Sequence, residues 1–151
     1  MNDLWGFKDS KELERDIQNM PDTILKEQFN LVGEKTGYIL YGKSSFVKVK
    51  KNYIGYEIAT ICDVIVPSLD GYAKTILIMY SNPEKDFPVS LTVNSNIPDD
   101  TECFDPKYTC SSEDEFKCAI KEILSSEEVL KIIRTLYSKA SMLSKSDSDM
   151  Y

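Results

Sequence analysis

Helical patterning at both ends of the chain and strand patterning through its middle predict an α+β fold. The expected form is an antiparallel four-stranded meander flanked by two N-terminal and two C-terminal helices packed on one face. Three observations carry this. Apolar residues recur every three or four positions before Gly37 and again after Ser112. Between Tyr38 and Val93 they alternate in twos, and Asp-Gly and Asn-Pro turn signals break the run into hairpin-sized pieces. At 151 residues, 42% of them hydrophobic, the chain suits one core, so residues 1–143 are expected to form a single domain.

Asp9-Ser10 is placed to cap a short first helix carrying Leu13, Ile17 and Met20, which Pro21-Asp22 interrupts. A second helix follows, with Ile24, Leu25, Gln28, Phe29, Leu31 and Val32 on one face and Gly33 or Gly37 as its stop. Tyr38–Tyr41 and Phe46–Val49 read as one bent strand or a short hairpin, kinked at Gly42-Lys43-Ser44-Ser45. Tyr53 to Val66 is the strongest strand signal, with Tyr56, Ile58, Thr60, Cys62, Val64 and Val66 on one side. Asp70-Gly71 supplies a turn, and Tyr72 to Tyr80 the next strand. After Asn82-Pro83 the last strand runs from Phe87 to Val93, with Val89, Leu91 and Val93 alternating. Asn94 to Ser111 shows no sustained period and reads as a long loop. Ser112-Glu113-Asp114-Glu115 fits a capping box opening a helix, and Ser125-Ser126-Glu127-Glu128 repeats the device before a stripe from Val129 to Leu143. Residues 144–151 are polar and are expected to fray.

Composition removes many function classes. There is no histidine, so catalytic triads, Cys-His pairs and HExxH zinc sites are excluded. Scattered glycines form neither a GxGxxG nor a P-loop pattern, and no CxxC pair stands among Cys62, Cys103, Cys110 and Cys118. No cofactor and no metal are expected. A carboxylate-dependent enzyme survives elimination, since it needs only two acids about 5–10 Å apart. Glu57 and Asp63 do not supply that pair, being six strand residues, roughly 20 Å, from each other. The N-terminal sequence lacks a basic and an apolar leader region, and no apolar run reaches the ~18 residues of a bilayer span. A cytoplasmic protein with free thiols is the expectation, with Cys103 and Cys110 as the one pair near enough in sequence to bridge.

The net charge of −7 is concentrated after residue 81, where fourteen carboxylates face eight basic side chains. Asp99, Asp100, Glu102, Asp105, Glu113, Asp114 and Glu115 crowd one stretch against Lys107 alone. Such a field repels nucleic acid and anionic membranes and favours a basic protein partner. The first four offer hard oxygen ligands for calcium, but their spacing matches no EF-hand loop. Lys43, Lys48, Lys50 and Lys51, among aromatic residues, read as an edge strand guarded by lysine. Together these observations predict a non-enzymatic interaction domain, of the small acidic inhibitor or immunity type, whose contact residues are those seven acids. The alternative is a small-molecule-binding or carboxylate-dependent enzymatic domain with a pocket between sheet and helices. A homodimer formed through a strand edge or tyrosine-bearing face is a third reading.

Overall fold

A computed structural model describes residues 1–15, 17, 20–50, 54–93, 96–98 and 104–149. The described elements are α1 (Ser10–Arg15), α2 (Pro21–Lys35), β1 (Tyr41–Lys48), β2 (Ile58–Val66), a 3-10 turn (Pro67–Leu69), β3 (Tyr72–Asn82), β4 (Lys85–Val93), β5 (Tyr108–Cys110), α3 (Glu113–Leu124) and α4 (Glu127–Asp149). The fold is α+β, with one antiparallel sheet in the order β1-β2-β3-β4-β5. The sheet therefore has five strands where the sequence predicts four. The added strand lies inside the expected loop and pairs Val89, Ser90 and Leu91 with Cys110, Thr109 and Tyr108. Three residues are too few for alternation to register in a sequence.

Helix starts follow their chemistry. The Asp9 carboxylate accepts the Glu12 N–H at 3.1 Å, and Glu12 accepts the Lys8 N–H at 2.8 Å. Pro21 opens α2 where its missing N–H costs nothing. That helix ends where Thr36 Oγ1 donates to the Val32 carbonyl at 2.8 Å and accepts from Leu40 N–H at 3.1 Å. Gly37, at φ +60, turns the chain away, so it and not Gly33 is the stop. The polar stretch 144–149, where fraying is expected, continues the backbone of α4.

Gly42 bends nothing: β1 runs unbroken through it, in register with β2 from Tyr41↔Ile65 to Lys48↔Ile58. Its role is steric. A Cβ built there would lie 1.9 Å from the Phe29 carbonyl oxygen, so only glycine lets the α2 backbone rest on β1. Between β2 and β3 the register slips by one at Cys62/Asp63, leaving Ile76 as the extra residue. A bulge of this kind lets Ile76 and Leu77, neighbours in sequence, enter the same core.

The larger core joins Cys62, Val64, Val66, Leu77, Met79, Val89 and Leu91 of the sheet to Leu25 and Phe29 of α2, Phe116, Ile120 and Ile123 of α3, and Val129 and Ala140 of α4. A second cluster gathers Ile54, Tyr56, Ala59, Ile78 and Tyr80, with Ile97 and Phe104 against them. Tyr56 thus departs from the face it was expected to share with Cys62 and Val64. Gly55, at φ +84, breaks the alternation, and β2 begins only at Ile58. On this side Tyr56 and Ser90 hydroxyls are hydrogen-bonded at 2.7 Å, and the Tyr80 and Phe104 rings meet edge-on with centroids 4.8 Å apart. Cys62, Cys110 and Cys118 are free thiols, the first two buried, and Cys103 lies outside the described residues. Among the described residues, no helix is long and apolar enough to cross a membrane.

Candidate functional site

The structure divides the seven acidic residues. Asp99, Asp100 and Glu102 lie outside the described residues, and Asp105 is exposed on the segment entering β5. Glu113, Asp114 and Glu115 form the first turn of α3, where carboxylates oppose the positive end of the helix dipole. Two of them have further local partners. Ser112 Oγ accepts the Glu115 N–H at 3.2 Å, while the Glu115 carboxylate accepts the Ser111 N–H at 2.6 Å. This is the capping box the sequence predicts, closed one residue upstream of its usual partner. Glu113 pairs with Lys117 at 2.8 Å, and that hydrogen bond raises the lysine pKa. Of the described members of this set, Asp105 and Asp114 make neither the capping contacts nor the ion pair, so changing them alters the charge and leaves those contacts in place.

A different feature emerges on the helical side. The helix α2 packs on β1 and β2, α3 on β5, and α4 on α3 and the 3-10 turn. Between α2 and the other two helices the layer stays open. An outer depression of about 460 Å³ lies between Ile24, Glu27 and Gln28 of α2 and Lys117, Ile120, Lys121 and Leu124 of α3. A second, of about 310 Å³, reaches the sheet: Val64 and Ile76 line it together with Phe29 and Val32 of α2 and Val129, Leu130 and Ile133 of α4. Gln28 and Leu124 line both, so the two depressions form one groove.

The groove's charges run against those of the chain. Lys35, Lys117 and Lys121 line it with Glu27 as the acid among the lining residues, Lys117 being paired with Glu113 outside it, in a protein whose net charge is −7. The sequence conceals this, because lysines on the polar side of amphipathic helices carry no mark of the groove they border. Only the spacing of α2 from α3 reveals it.

A small depression of about 110 Å³ near the start of α2 is lined by Asp22, Ser81, Asn82, Lys85 and Asp86. Burial raises the Asp22 carboxyl pKa, a hydrogen bond from Thr60 Oγ1 at 2.8 Å opposes that shift, and Asp86 adds to it. A carboxyl perturbed in this way inside a cleft is the usual mark of acid chemistry. The volume, however, falls well short of the roughly 300 Å³ at which small-molecule pockets begin. Asp63, half-buried, accepts from Thr75 Oγ1 at 2.7 Å and stands in neither the groove nor this depression. Among the described residues, no cluster of three or more cysteine or carboxylate side chains is placed to hold a metal. Comparisons of the chain with protein-family models, with curated proteins and with solved structures find no match.

Proposed function

We propose that this chain is a non-enzymatic protein-interaction domain that takes an apolar segment of a partner into the groove between α2 and the α3–α4 pair. The observation that carries the proposal is an apolar depression that reaches the main core and is lined by Val32, Leu124, Leu130 and Ile133, which are only half-buried. Phe29, Val64, Ile76 and Val129 belong to the main core, yet a depression of about 310 Å³ opens onto them. A cavity of that kind forfeits dispersion contacts until something fills it. Apolar floors with polar rims are also how proteins receive a partner's side chains. The absence of histidine and of nucleotide loops from the sequence supports a binding role over a catalytic one.

The test places a photo-crosslinking amino acid at Gln28, which borders both depressions, and at Lys85 on β4 as a control, in cells expressing the protein. A protein adduct formed from position 28, absent from position 85 and lost when Leu130→Glu charges the groove, is the expected result. Adducts of equal yield from both positions, or none from position 28, overturn the reading.

The acidic surface supports a second reading, that a basic partner is steered to the α3 end. Glu113, Asp114 and Glu115 sharing one helical turn is the observation favouring it. Asp105→Lys with Asp114→Lys leaves the capping contacts intact, so a loss of partner association rate in that variant isolates the charge. The same groove also lies within the size range of a small-molecule site, the remaining alternative. Saturable binding of a low-molecular-weight metabolite fraction, lost in Leu130→Glu, is its test.

A further inference from the structure

The N-terminal segment supplies what the groove lacks. Leu4 is 92% exposed and Trp5 77% exposed, and Phe7 joins them with its ring centroid 5.9 Å from that of Trp5. The Asp3 carboxylate accepts the Trp5 backbone N–H at 3.0 Å, a local turn at the start of this exposed segment. Leu13 and Ile17, the apolar positions of the first helical pattern, are exposed as well. Among the described residues, neither core cluster nor the apolar residues packed against it include one before Ile24, so Leu4 and Trp5 stay exposed within one molecule while an apolar groove on the same molecule stands open.

We infer that the groove's occupant is the Leu4-Trp5-Gly6-Phe7 segment of a second copy of this chain, exchanged reciprocally so that each copy seats the other's segment. The inference rests on the reading of the groove as a binding site and names its partner. Three arguments favour a second copy. Size is the first: an aromatic side chain buries about 150–250 Å². With Leu4 and Trp5 largely exposed and Phe7 38% exposed, two such segments and the groove surface they cover amount to on the order of 1,000–1,400 Å², the lower end of a specific interface. Charge is the second, since Asp3 and Lys8, which flank the apolar residues, meet a rim carrying both Lys35 and Lys121 and the opposite charge of Glu27. The third is symmetry. A reciprocal exchange closes on itself as a two-fold dimer and leaves neither a segment nor a groove unfilled.

Trp5 is the chain's single tryptophan, so its fluorescence reports this contact directly. Sedimentation and emission are followed together across protein concentration. Emission moving to shorter wavelength in step with dimer formation is expected. Trp5→Ala and Gln28→Phe should each weaken association by at least about tenfold, the scale of one large apolar side chain buried. Gln28 is exposed, so filling the groove from that position leaves the core intact. Mixing the two variants is decisive: Trp5→Ala has an open groove and no tryptophan, and Gln28→Phe has a tryptophan and a blocked groove. A blue shift appearing only in the mixture places Trp5 of one copy in the groove of the other. A protein that stays monomeric with solvent-exposed emission overturns the inference, as does a dimer indifferent to Trp5→Ala, or a blue shift independent of concentration, which would put the segment in its own groove. The anionic apolar dye 8-anilinonaphthalene-1-sulfonate separates the two levels. If it binds wild type but not Gln28→Phe while Trp5 stays exposed, the groove binds and only the second copy is wrong. If it binds neither and Trp5 stays exposed, the groove reading falls with it.

Discussion

Replacing Gly42 by alanine tests the contact that positions one wall of the groove. The added Cβ falls 1.9 Å from the Phe29 carbonyl oxygen, where ordinary contact begins near 3.4 Å, so α2 must retreat from β1 by about 1.5 Å. No flexible side chain is available to give way, because the obstructing atoms are the backbone of Phe29 itself. Retreat lifts Leu25 and Phe29, both buried in the main core, partly off the sheet. Overpacking of this kind costs about 1–3 kcal/mol, and two large side chains moving together put Gly42→Ala at the top of that range. Alanine's smaller unfolded-state entropy returns about 0.4–1 kcal/mol, leaving a net loss of about 2–3 kcal/mol. For a chain of this length that is a fall in Tm of about 5–10 °C. The assay is urea unfolding followed by circular dichroism, with Gly6→Ala as control, since nothing stands within 4 Å of a Cβ there. Gly42→Ala should shift the midpoint with an unchanged m-value, while the control stays within about 0.5 kcal/mol of wild type. A Gly42→Ala midpoint equal to the control's would refute the claim that β1 and α2 meet backbone to backbone.

Three further outcomes follow from individual contacts. Ser112→Ala should cost about 1 kcal/mol in urea unfolding through loss of the Glu115 N–H cap, whereas Ser111→Ala, whose contact uses only its backbone N–H, should cost much less. Asp22 titrates with a raised pKa, so the folded state holds its proton more tightly than the unfolded state does. Its contribution to stability is complete below the ordinary value of 3.8 and is lost as pH rises through the folded value. Asp22→Asn, which keeps an oxygen to accept from Thr60, should therefore gain stability relative to wild type as pH is raised from 3 to 7, and a difference flat in pH would contradict the burial argument. In a Cys103→Ser background, Cys118 should react with a thiol reagent in the native protein. Cys62, buried and with its pKa pushed up to about 12 by burial and by Asp63 and Asp22, should stay unreactive until the chain unfolds, as should Cys110, raised by burial and Glu115. Labelling of three thiols at the native rate would contradict that burial.

The elements that were legible in the sequence are those whose burial repeats over several turns or several pleats. Val89, Leu91 and Val93 alternate as a strand facing the helices should, and Phe116, Ile120 and Ile123 recur as a helix face should; both sets lie in or against the main core. Features occupying one position were not legible. Ile76 enters the core through a one-residue register slip, and Tyr56 leaves its expected face after a single glycine at positive φ. Gly42 attracts attention in either reading, but the sequence shows only a glycine in a strand and cannot show the Phe29 carbonyl above it. The acidic residues were legible as charge and illegible as structure, since Glu113 and Glu115 are also the capping and pairing groups of α3. The groove was beyond reach, because its walls lie about ninety residues apart in the chain: Gln28 faces Lys117 and Lys121.

The groove follows from a mismatch of widths that the fifth strand creates. Strands stand about 4.8 Å apart, so β1 and β5 are separated by roughly 19 Å across the sheet. With α2 seated on β1 and β2 and α3 on β5, strand spacing puts the axes of the two helices roughly 17 Å apart, whereas close-packed helices stand 8–10 Å apart. The excess, roughly 7–9 Å, is too narrow for another helix at core spacing and wide enough for a row of side chains. A sheet ending at β4 would bring α3 one strand closer and take up most of that excess. The chain spends only Tyr108-Thr109-Cys110 on the additional strand, and Cys110 and Leu91, which flank that pairing, are both buried in the main core. Shortening the connection that holds β5 in register should therefore draw α3 toward α2 and close the groove, and dye binding should be lost before the unfolding midpoint falls. If the groove survives with β5 displaced, the spacing of the helices is set by α4 and not by the width of the sheet.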